Sequence, residues 1–458
     1  MNTRKPPQRR FGSKDPRVEQ PEVVPGLAAR LVASSALADV MSGANALDDR
    51  FAPDGALSKA VDLDARDKAL ARSIATVSLR RLGTIRSALG KLLENGMPKK
   101  AGALEWILVT GAAQILFLDA PDHAAVDLAV RSVRRDPKTA AFAALTNAVL
   151  RNLARRVEEF RDNDDPFIDT PPWLATRWRR TYGEEAARAI AAAHQTEPTL
   201  DITARDDVPG WADKLGGKVL STGSIRISSH APVTELPGFD EGQWWVQDVS
   251  AAIPARLLHA RSGERIVDLC AAPGGKAAQL AAAGAQVVAL DRSAERLKRL
   301  SANLARLGLD AEMQVGDATT YGGGPFDAVL LDAPCSSTGT IRRHPDVAWS
   351  KKTTDLTALS SMQSKMLDRA TRLLVPGGRL VYCVCSLEPE EGEQQIAALL
   401  RRNPDVERWP IEAGEAGVQP EWINPAGELR TLPSHLPDPD PRSAGMDGFF
   451  AARLRRRG

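Results

Sequence analysis

From about residue 242 to the C-terminus, short apolar runs alternate with stretches of helical periodicity. The runs are RIVDLC (Arg265–Cys270), QVVALD (Gln286–Asp291), AEMQVGD (Ala311–Asp317), DAVLLD (Asp327–Asp332), GRLVYCVC (Gly378–Cys385) and GFFAARL (Gly448–Leu454). Between the second and third lies SAERLKRLSANLARLG (Ser293–Gly308), with leucines at helical spacing. Strand–helix alternation of this kind restricts the chain to a doubly wound parallel sheet with helices on both faces. Ligands of such sheets bind beyond the carboxyl ends of the strands. The residues that close each run are therefore the ones to read for chemistry.

The first run leads into DLCAAPGGKAAQLA, with Gly274 and Gly275 between strand and helix. Paired glycines there let backbone approach a ligand closely and aim helix N–H groups at it. The second run ends in Asp291, sixteen residues after Gly275, where a carboxylate grips ribose hydroxyls. The third ends in Asp317, near the place of an adenine. No G-x-G-x-x-G occurs, which argues against nicotinamide and flavin cofactors and fits an adenosyl ligand without pyrophosphate.

Two further segments, DAPCSSTG (Asp332–Gly339) and VYCVCS (Val381–Ser386), each deliver a cysteine at or near a strand end. If those strands are neighbours, Cys335 and Cys385 reach the ligand edge beside Asp332. Two thiols and a carboxylate suit covalent attack on an electron-poor ring, followed by release. The alternative is a pair of buried cysteines acting as small hydrophobes.

Upstream the pattern is helical. Residues 26–160 hold ALARSIATVSLRRLGTIRSALGKLL (Ala69–Leu93) and TAAFAALTNAVLRNLARRVEEF (Thr139–Phe160), with breaks at Gly96–Pro98, Pro121 and Pro137. This reads as an all-helical bundle with arginine-rich polar faces (Arg80, Arg81, Arg131, Arg134, Arg135, Arg151, Arg155, Arg156). A solvated face and RNA contact explain those arginines equally well. RDNDDPFIDTPPW (Arg161–Trp173) is a linker by composition, and the region to residue 241 reads as a small α/β subdomain. Residues 1–25 begin with six basic side chains (Arg4, Lys5, Arg9, Arg10, Lys14, Arg17) against Asp15 and read as a disordered basic arm. Arg453, Arg455, Arg456 and Arg457 close the chain.

The overall balance, 60 Lys and Arg against 58 Asp and Glu, implies no global field, so any polyanionic partner is met by local patches. Four cysteines without a CxxC spacing fit a reducing cytoplasm and argue against disulfides and structural zinc. No apolar run reaches membrane-spanning length. The expectation is a soluble cytoplasmic protein that binds neither membrane nor metal.

The motifs VDLCAAPGGK, DAPCSSTGT, RRHPDVAW (Arg342–Trp349), VPGGRLVYCVCS and DGFF, in this order, resemble those of the NOL1/NOP2/Sun family of RNA 5-methylcytosine methyltransferases. The helical part, with LDARDKALARSIATVSLRRLG and TNAVLRNL, is similar to the NusB-type RNA-binding domain. That domain marks the branch of bacterial 16S rRNA enzymes called RsmB, Sun or Fmu. The resemblance covers almost everything past the N-terminal arm and implies a NusB-like bundle at 26–160 and an S-adenosylmethionine-dependent, Rossmann-like methyltransferase domain at 242–458.

By carry-over Cys385 attacks carbon 6 of cytosine, Cys335 serves elimination, and Asp332 holds ring nitrogen 3. Cys270, Ala271, Ala272, Pro273, Gly274, Gly275 and Lys276 wrap the methionine end of S-adenosylmethionine. Asp291 meets the ribose, Asp317 the adenine side, and Asp332 belongs to the cofactor set as well. Arg342, Arg343 and His344 grip phosphates beside the target base. Cys383 departs from the family pattern and reads as packing; LDITAR (Leu200–Arg205) also departs.

The implied partner is unstacked RNA, 16S rRNA or a small-subunit assembly intermediate, bound in a salt-dependent way by a monomer. The other readings are the same chemistry on tRNA or 23S rRNA, and a non-catalytic RNA-binding assembly factor.

Overall fold

The computed structural model describes residues 24–44, 46–52, 63–161, 164–229 and 231–458. Nearly all of the expected basic arm lies outside them. At the N-terminal end, helices Leu27–Ser42, Ala65–Arg80, Leu82–Leu92, Asp122–Arg135 and Ala143–Ala154 surround the helix Leu104–Phe117. That central helix, LEWILVTGAAQILF, is apolar on nearly every face, which only a fully enclosed position satisfies. Asp64 caps the helix Ala65–Arg80 by accepting from the Asp67 amide at 2.7 Å.

Two of the arginines expected on polar faces turn inward, Arg80 buried and Arg81 half-buried. Arg80 is buried and its guanidinium donates to the carbonyls of His194 (3.3 Å), Thr196 (3.2 Å) and Arg342 (2.6 Å). Arg81 lies over the Phe117 ring, 4.7 Å from its centroid. The reason is tertiary: this helix end faces the rest of the chain. Trp349, from RRHPDVAW, packs against the helical core, and its indole N–H donates to the Leu79 carbonyl at 2.8 Å.

The linker expected at Arg161–Trp173 is anchored at its centre. The short 3₁₀ turn Pro166–Asp169 carries Asp169, which accepts from the Thr84 amide (2.8 Å), the Thr84 hydroxyl (2.9 Å) and Gln195 (3.0 Å). The turn presses so close to Gly83 that a β-carbon there would stand 1.6 Å from the Ile168 carbonyl oxygen. The long helix Pro172–His194 follows, broken at Gly183.

A four-stranded antiparallel sheet comes next: β1 (Leu200–Ala204), β2 (Lys218–Val219), β3 (Ile225–Ile227) and β4 (Trp244–Val246), in the order β2-β3-β1-β4. Its fourth strand lies past residue 241, on the far side of the expected domain boundary. Asp201 of LDITAR is buried there in a two-pronged pair with Arg226 (2.7 and 2.8 Å).

The large sheet contains β5 (Arg265–Leu269), β6 (Gln286–Asp291), β7 (Glu312–Val315), β8 (Phe326–Asp332), β9 (Leu374–Val384), β10 (Val406–Arg408), β11 (Leu429–Thr431) and β12 (Phe449–Arg456). Among the described residues the order is β10-β12-β9-β8-β5-β6-β7, with β11 also on β12. The stretch β9-β8-β5-β6-β7 is parallel, as the alternation demands, and β12 runs antiparallel beside β9. Helices cover both faces of the parallel part: Gly275–Ala282 and Ala294–Leu307 follow β5 and β6, and Thr353–Arg372 precedes β9. Arg453, counted with the basic C-terminus, is buried in β12 over Trp409 and donates to the Pro410 carbonyl at 2.7 Å. No described helix is long and apolar enough to cross a membrane.

Candidate active site

β8 and β9 are neighbours, and their register sets Asp332 opposite Cys383. Cys385 follows one residue beyond β9, and Cys335 follows β8 through Ala333 and Pro334. The two sulfurs, Cys335 Sγ and Cys385 Sγ, lie 3.5 Å apart. The pair is unequal. Hydrogen bonding from Cys335, aided by Ser337 and Lys276, draws the Cys385 thiol below its ordinary value despite burial. That same bond, together with burial, pushes Cys335 well up. One sulfur is thus disposed to ionise and its neighbour to keep a proton.

Asp332 accepts from Lys276 Nζ at 2.7 Å on one oxygen and faces Cys383 Sγ at 3.6 Å on the other. Lys276 opens the helix Gly275–Ala282 and lies over the Phe449 ring, 5.1 Å from its centroid. Its ammonium is held protonated by Asp332 against the cost of burial. Cys383 is fully buried, and burial followed by Asp332 raises its thiol strongly. It therefore touches the carboxylate rather than only filling space.

The turn from β5 begins with Cys270 in a left-handed conformation (φ 69) and ends with Gly274 (φ 109). At Gly274 a β-carbon would stand 2.8 Å from Leu300 Cγ, so glycine is required both for the turn and for helix packing. Asp291 is buried and receives the Ala272 amide (3.3 Å) and the Ser293 amide (2.9 Å), with Arg296 at 3.3 Å. Asp317 stands apart from these residues. β7 stops at Val315, and the exposed Asp317 carboxylate accepts from the amide (2.8 Å) and hydroxyl (2.7 Å) of Thr319.

A cavity of about 530 Å³ opens at the ends of these strands. Ala271, Pro273, Gly274, Gly275, Lys276, Asp332 and Cys385 line it, and Asp268 of β5 projects into it. Asp268 is only 1% exposed, and neither of its carboxylate oxygens has a hydrogen-bond partner. Burial, and then the neighbouring Asp332, raise it well above the usual carboxylate range. A buried acid without a partner at a cavity wall is a place for a cationic or hydrogen-bond-donating ligand group.

The three basic residues expected to hold phosphates separate. Arg342 is 3% exposed, lies 3.4 Å from Asp248 and donates to the Ala444 carbonyl at 2.9 Å. It is interior structure, because the RRHPDVAW segment is clamped under the helical domain rather than forming a solvated loop. Arg343 and His344 do line the cavity, each already matched to an acid. Arg343 Nε lies 2.9 Å from Asp447, and His344 Nδ1 lies 3.0 Å from Asp48.

Asp48 belongs to the helical domain, which therefore contributes to the wall of the cavity. Nothing in the local sequence around Asp48 signals this. Asp447 and Phe449 sit in the DGFF motif, and Asp268 and Ser337 sit inside quoted motifs. Those motifs located them without stating what they touch.

The family model described as 16S rRNA methyltransferase RsmB/F matches residues 255–455, and that of the NusB family matches residues 27–155. Ribosomal RNA small subunit methyltransferase B of Klebsiella pneumoniae subsp. pneumoniae is 36% identical over 411 residues, spanning 86% of this chain and 91% of that protein. The protein of the same name from Salmonella typhi is 36% identical over 414 residues, spanning 85% and 90%. Among solved structures, that of PH0851 covers 95% of this chain and 99% of its own, with TM-score 0.70 and 23% identity, a likeness of fold. A methyltransferase homolog protein from Pyrococcus horikoshii, 26% identical, covers 64% of this chain and 98% of its own with TM-score 0.53.

Proposed function

Because the chain belongs to the RsmB family of ribosomal RNA methyltransferases, we propose that it methylates carbon 5 of a cytosine in 16S rRNA through a transient cysteine–cytosine bond. The observation that carries this reading is the unequal thiol pair, Cys335 and Cys385 at 3.5 Å, beside the Lys276–Asp332 pair at a cavity wall.

S-adenosylmethionine fits the cavity, since a partnerless buried carboxylate suits the positive charge of that molecule. When bound, it supplies a methyl group on a cationic sulfur. The loop Cys270–Lys276 would hold its methionine end, with Asp291 and Asp317 toward ribose and adenine and Asp332 beside them.

The protein's own groups do the rest. Carbon 5 of cytosine is too weakly nucleophilic until carbon 6 has been attacked. Cys385 thiolate forms the Sγ–C6 bond, and the displaced electron pair moves into the ring toward carbon 5. Asp332, oriented by Lys276, stabilises the protonated ring nitrogen 3 as charge develops. Once carbon 5 carries the methyl group, Cys335 first releases its own proton to solvent in the cavity and, as a thiolate, takes the proton from carbon 5. The Sγ–C6 bond then breaks with its electrons returning to Cys385.

The target base must leave its stack to reach these sulfurs. Arg343 and His344 stand at the cavity, where phosphates next to that base would pass. The helical domain, the basic faces around Arg131, Arg134 and Arg135, and the N-terminal arm are proposed to hold the flanking RNA.

Bisulfite mapping of rRNA from cells with and without the gene tests the reading. One cytosine of 16S rRNA that loses protection on deletion supports it. An unchanged 16S map, or a lost site in tRNA or 23S rRNA instead, would overturn the substrate assignment.

A further inference from the structure

We propose that Ser337 is a positioning residue for the nucleophile, its hydroxyl holding the Cys385 sulfur as a thiolate aimed into the cavity. The inference rests on reading Cys385 as the attacking group and adds to it the neutral donor that the charge requires.

Three observations meet at this side chain. Ser337 Oγ lies 3.6 Å from Cys385 Sγ and 3.9 Å from Cys335 Sγ, so a single hydroxyl touches both sulfurs. Its backbone is left-handed (φ 61, ψ 21), a conformation that costs a residue with a β-carbon. The serines and threonines beside it point elsewhere. Ser336 donates to Glu391 at 2.5 Å, and Thr338 receives the Leu387 amide at 3.0 Å, both inside a buried network with Ser386. The left-handed turn at 337 sends one hydroxyl of the run the other way. Ser337 lines the cavity together with Cys385.

The charged neighbours are engaged. Lys276 is bound to Asp332 at 2.7 Å and Arg343 to Asp447 at 2.9 Å. Both act on Cys385 only through the field, as does the opposing charge of Asp332, while Cys335 approaches from the other side. Ser337 is therefore placed as a second direct donor. In the thiol form, Cys385 S–H donates to Ser337 Oγ. When that proton leaves through the cavity, the hydroxyl rotates and donates to the sulfur, a charge-assisted bond that favours the ionised form. After Cys385 is bonded to carbon its charge is gone, and the hydroxyl can turn to Cys335, the sulfur that acts next.

The test follows iodoacetamide alkylation of Cys385 against pH by peptide-resolved mass spectrometry, on full-length wild type, Ser337→Gly and Ser337→Ala. Glycine adopts the left-handed conformation freely, so the glycine variant removes the hydroxyl without straining the turn. In both variants the alkylation midpoint is expected to rise by about one pH unit. Turnover on small-subunit RNA is expected to fall roughly tenfold with little change in KM. A midpoint that stays in place in both variants overturns the proposal. The alkylation readout needs no RNA, so a wild type that fails to methylate cytosine would defeat the function above while the midpoint still decides the role of Ser337.

Discussion

Cys335 and Cys385 are fifty positions apart in the chain, and their sulfurs are 3.5 Å apart in space. The contact exists because β8 and β9 are parallel neighbours that end at the same edge of the sheet. One sulfur is lowered and the other raised, so the two are expected to fail differently when removed.

Replacing Cys385 with alanine should lower methyl transfer by roughly 10³-fold or more, the loss of a nucleophile. Replacing Cys335 with alanine removes the bond that lowers the Cys385 thiol, so attack should slow, but release should be blocked, so that a protein–RNA adduct persists on a denaturing gel. An adduct that accumulates with Cys385→Ala instead would reverse the two assignments.

Lys276 is the partner of Asp332, and its ammonium is buried against Phe449. Lys276→Met keeps the length of the side chain and removes the charge. We expect kcat to fall about 10²-fold, as when one preorganised electrostatic group is lost. Steady-state kinetics with RNA and methyl donor varied separately will check it. A change confined to KM would mean that Lys276 only binds.

Arg342 and Arg343 are adjacent in sequence and both face buried acids, but only Arg343 also lines the cavity. Arg342 is interior and faces Asp248, which itself is 5% exposed, so Arg342→Ala takes from a buried carboxylate its nearer cation and leaves only Arg343 at 4.0 Å. The expected loss is about 3–5 kcal/mol of folding stability, as for removal of one partner of a buried pair. Arg343 holds Asp447, which is 0% exposed, so Arg343→Ala should also cost stability, and in addition it should weaken RNA binding and flatten its dependence on salt. Urea unfolding and filter binding at several salt concentrations distinguish them. Wild-type stability in Arg342→Ala would contradict the burial argument, and wild-type RNA affinity and salt dependence in Arg343→Ala would remove its role at the phosphates.

His194 gives the pH prediction. It packs edge-on against Trp178, and burial followed by the charges of Arg342 and Arg80 lowers its pKa to about 3. The folded chain keeps this ring neutral, whereas the unfolded chain protonates it near 6.5. Acid therefore favours unfolding: stability is complete above about 6.5 and declines as pH falls from there toward 3. The slope is about 1.4 kcal/mol per pH unit, or roughly 2 kcal/mol between pH 7 and 5. Urea unfolding at those two pH values should show that difference in wild type and a smaller one in His194→Phe. The same difference in both would remove His194 as its source.

Much of the catalytic domain was legible because its signals are local. An apolar run of five or six residues bounded by a helical segment encodes a buried parallel strand, and Asp291, Asp332 and Cys385 fall at or just past strand ends by counting. Gly274 was readable for the same reason, since a turn from strand to helix of that shape excludes a β-carbon. Strand boundaries at β9 and β12 differed by a few residues, where pairing with a neighbour extends a strand past its apolar run.

The residues themselves determined the class of sheet, the helical bundle before it, and which side chains stand at the sheet's ligand edge, because periodicity and strand ends are properties of neighbouring positions. Only the tertiary structure decided which charges face solvent. Arg80, Arg342 and Arg453 look like any exposed arginine in one dimension, and packing between segments hundreds of positions apart buried them. Docking of the helical domain likewise brought Asp48 to His344 and Leu47 to Asp346. Burial and ion pairing depend on what arrives from far along the chain, and no local pattern of residues carries that information.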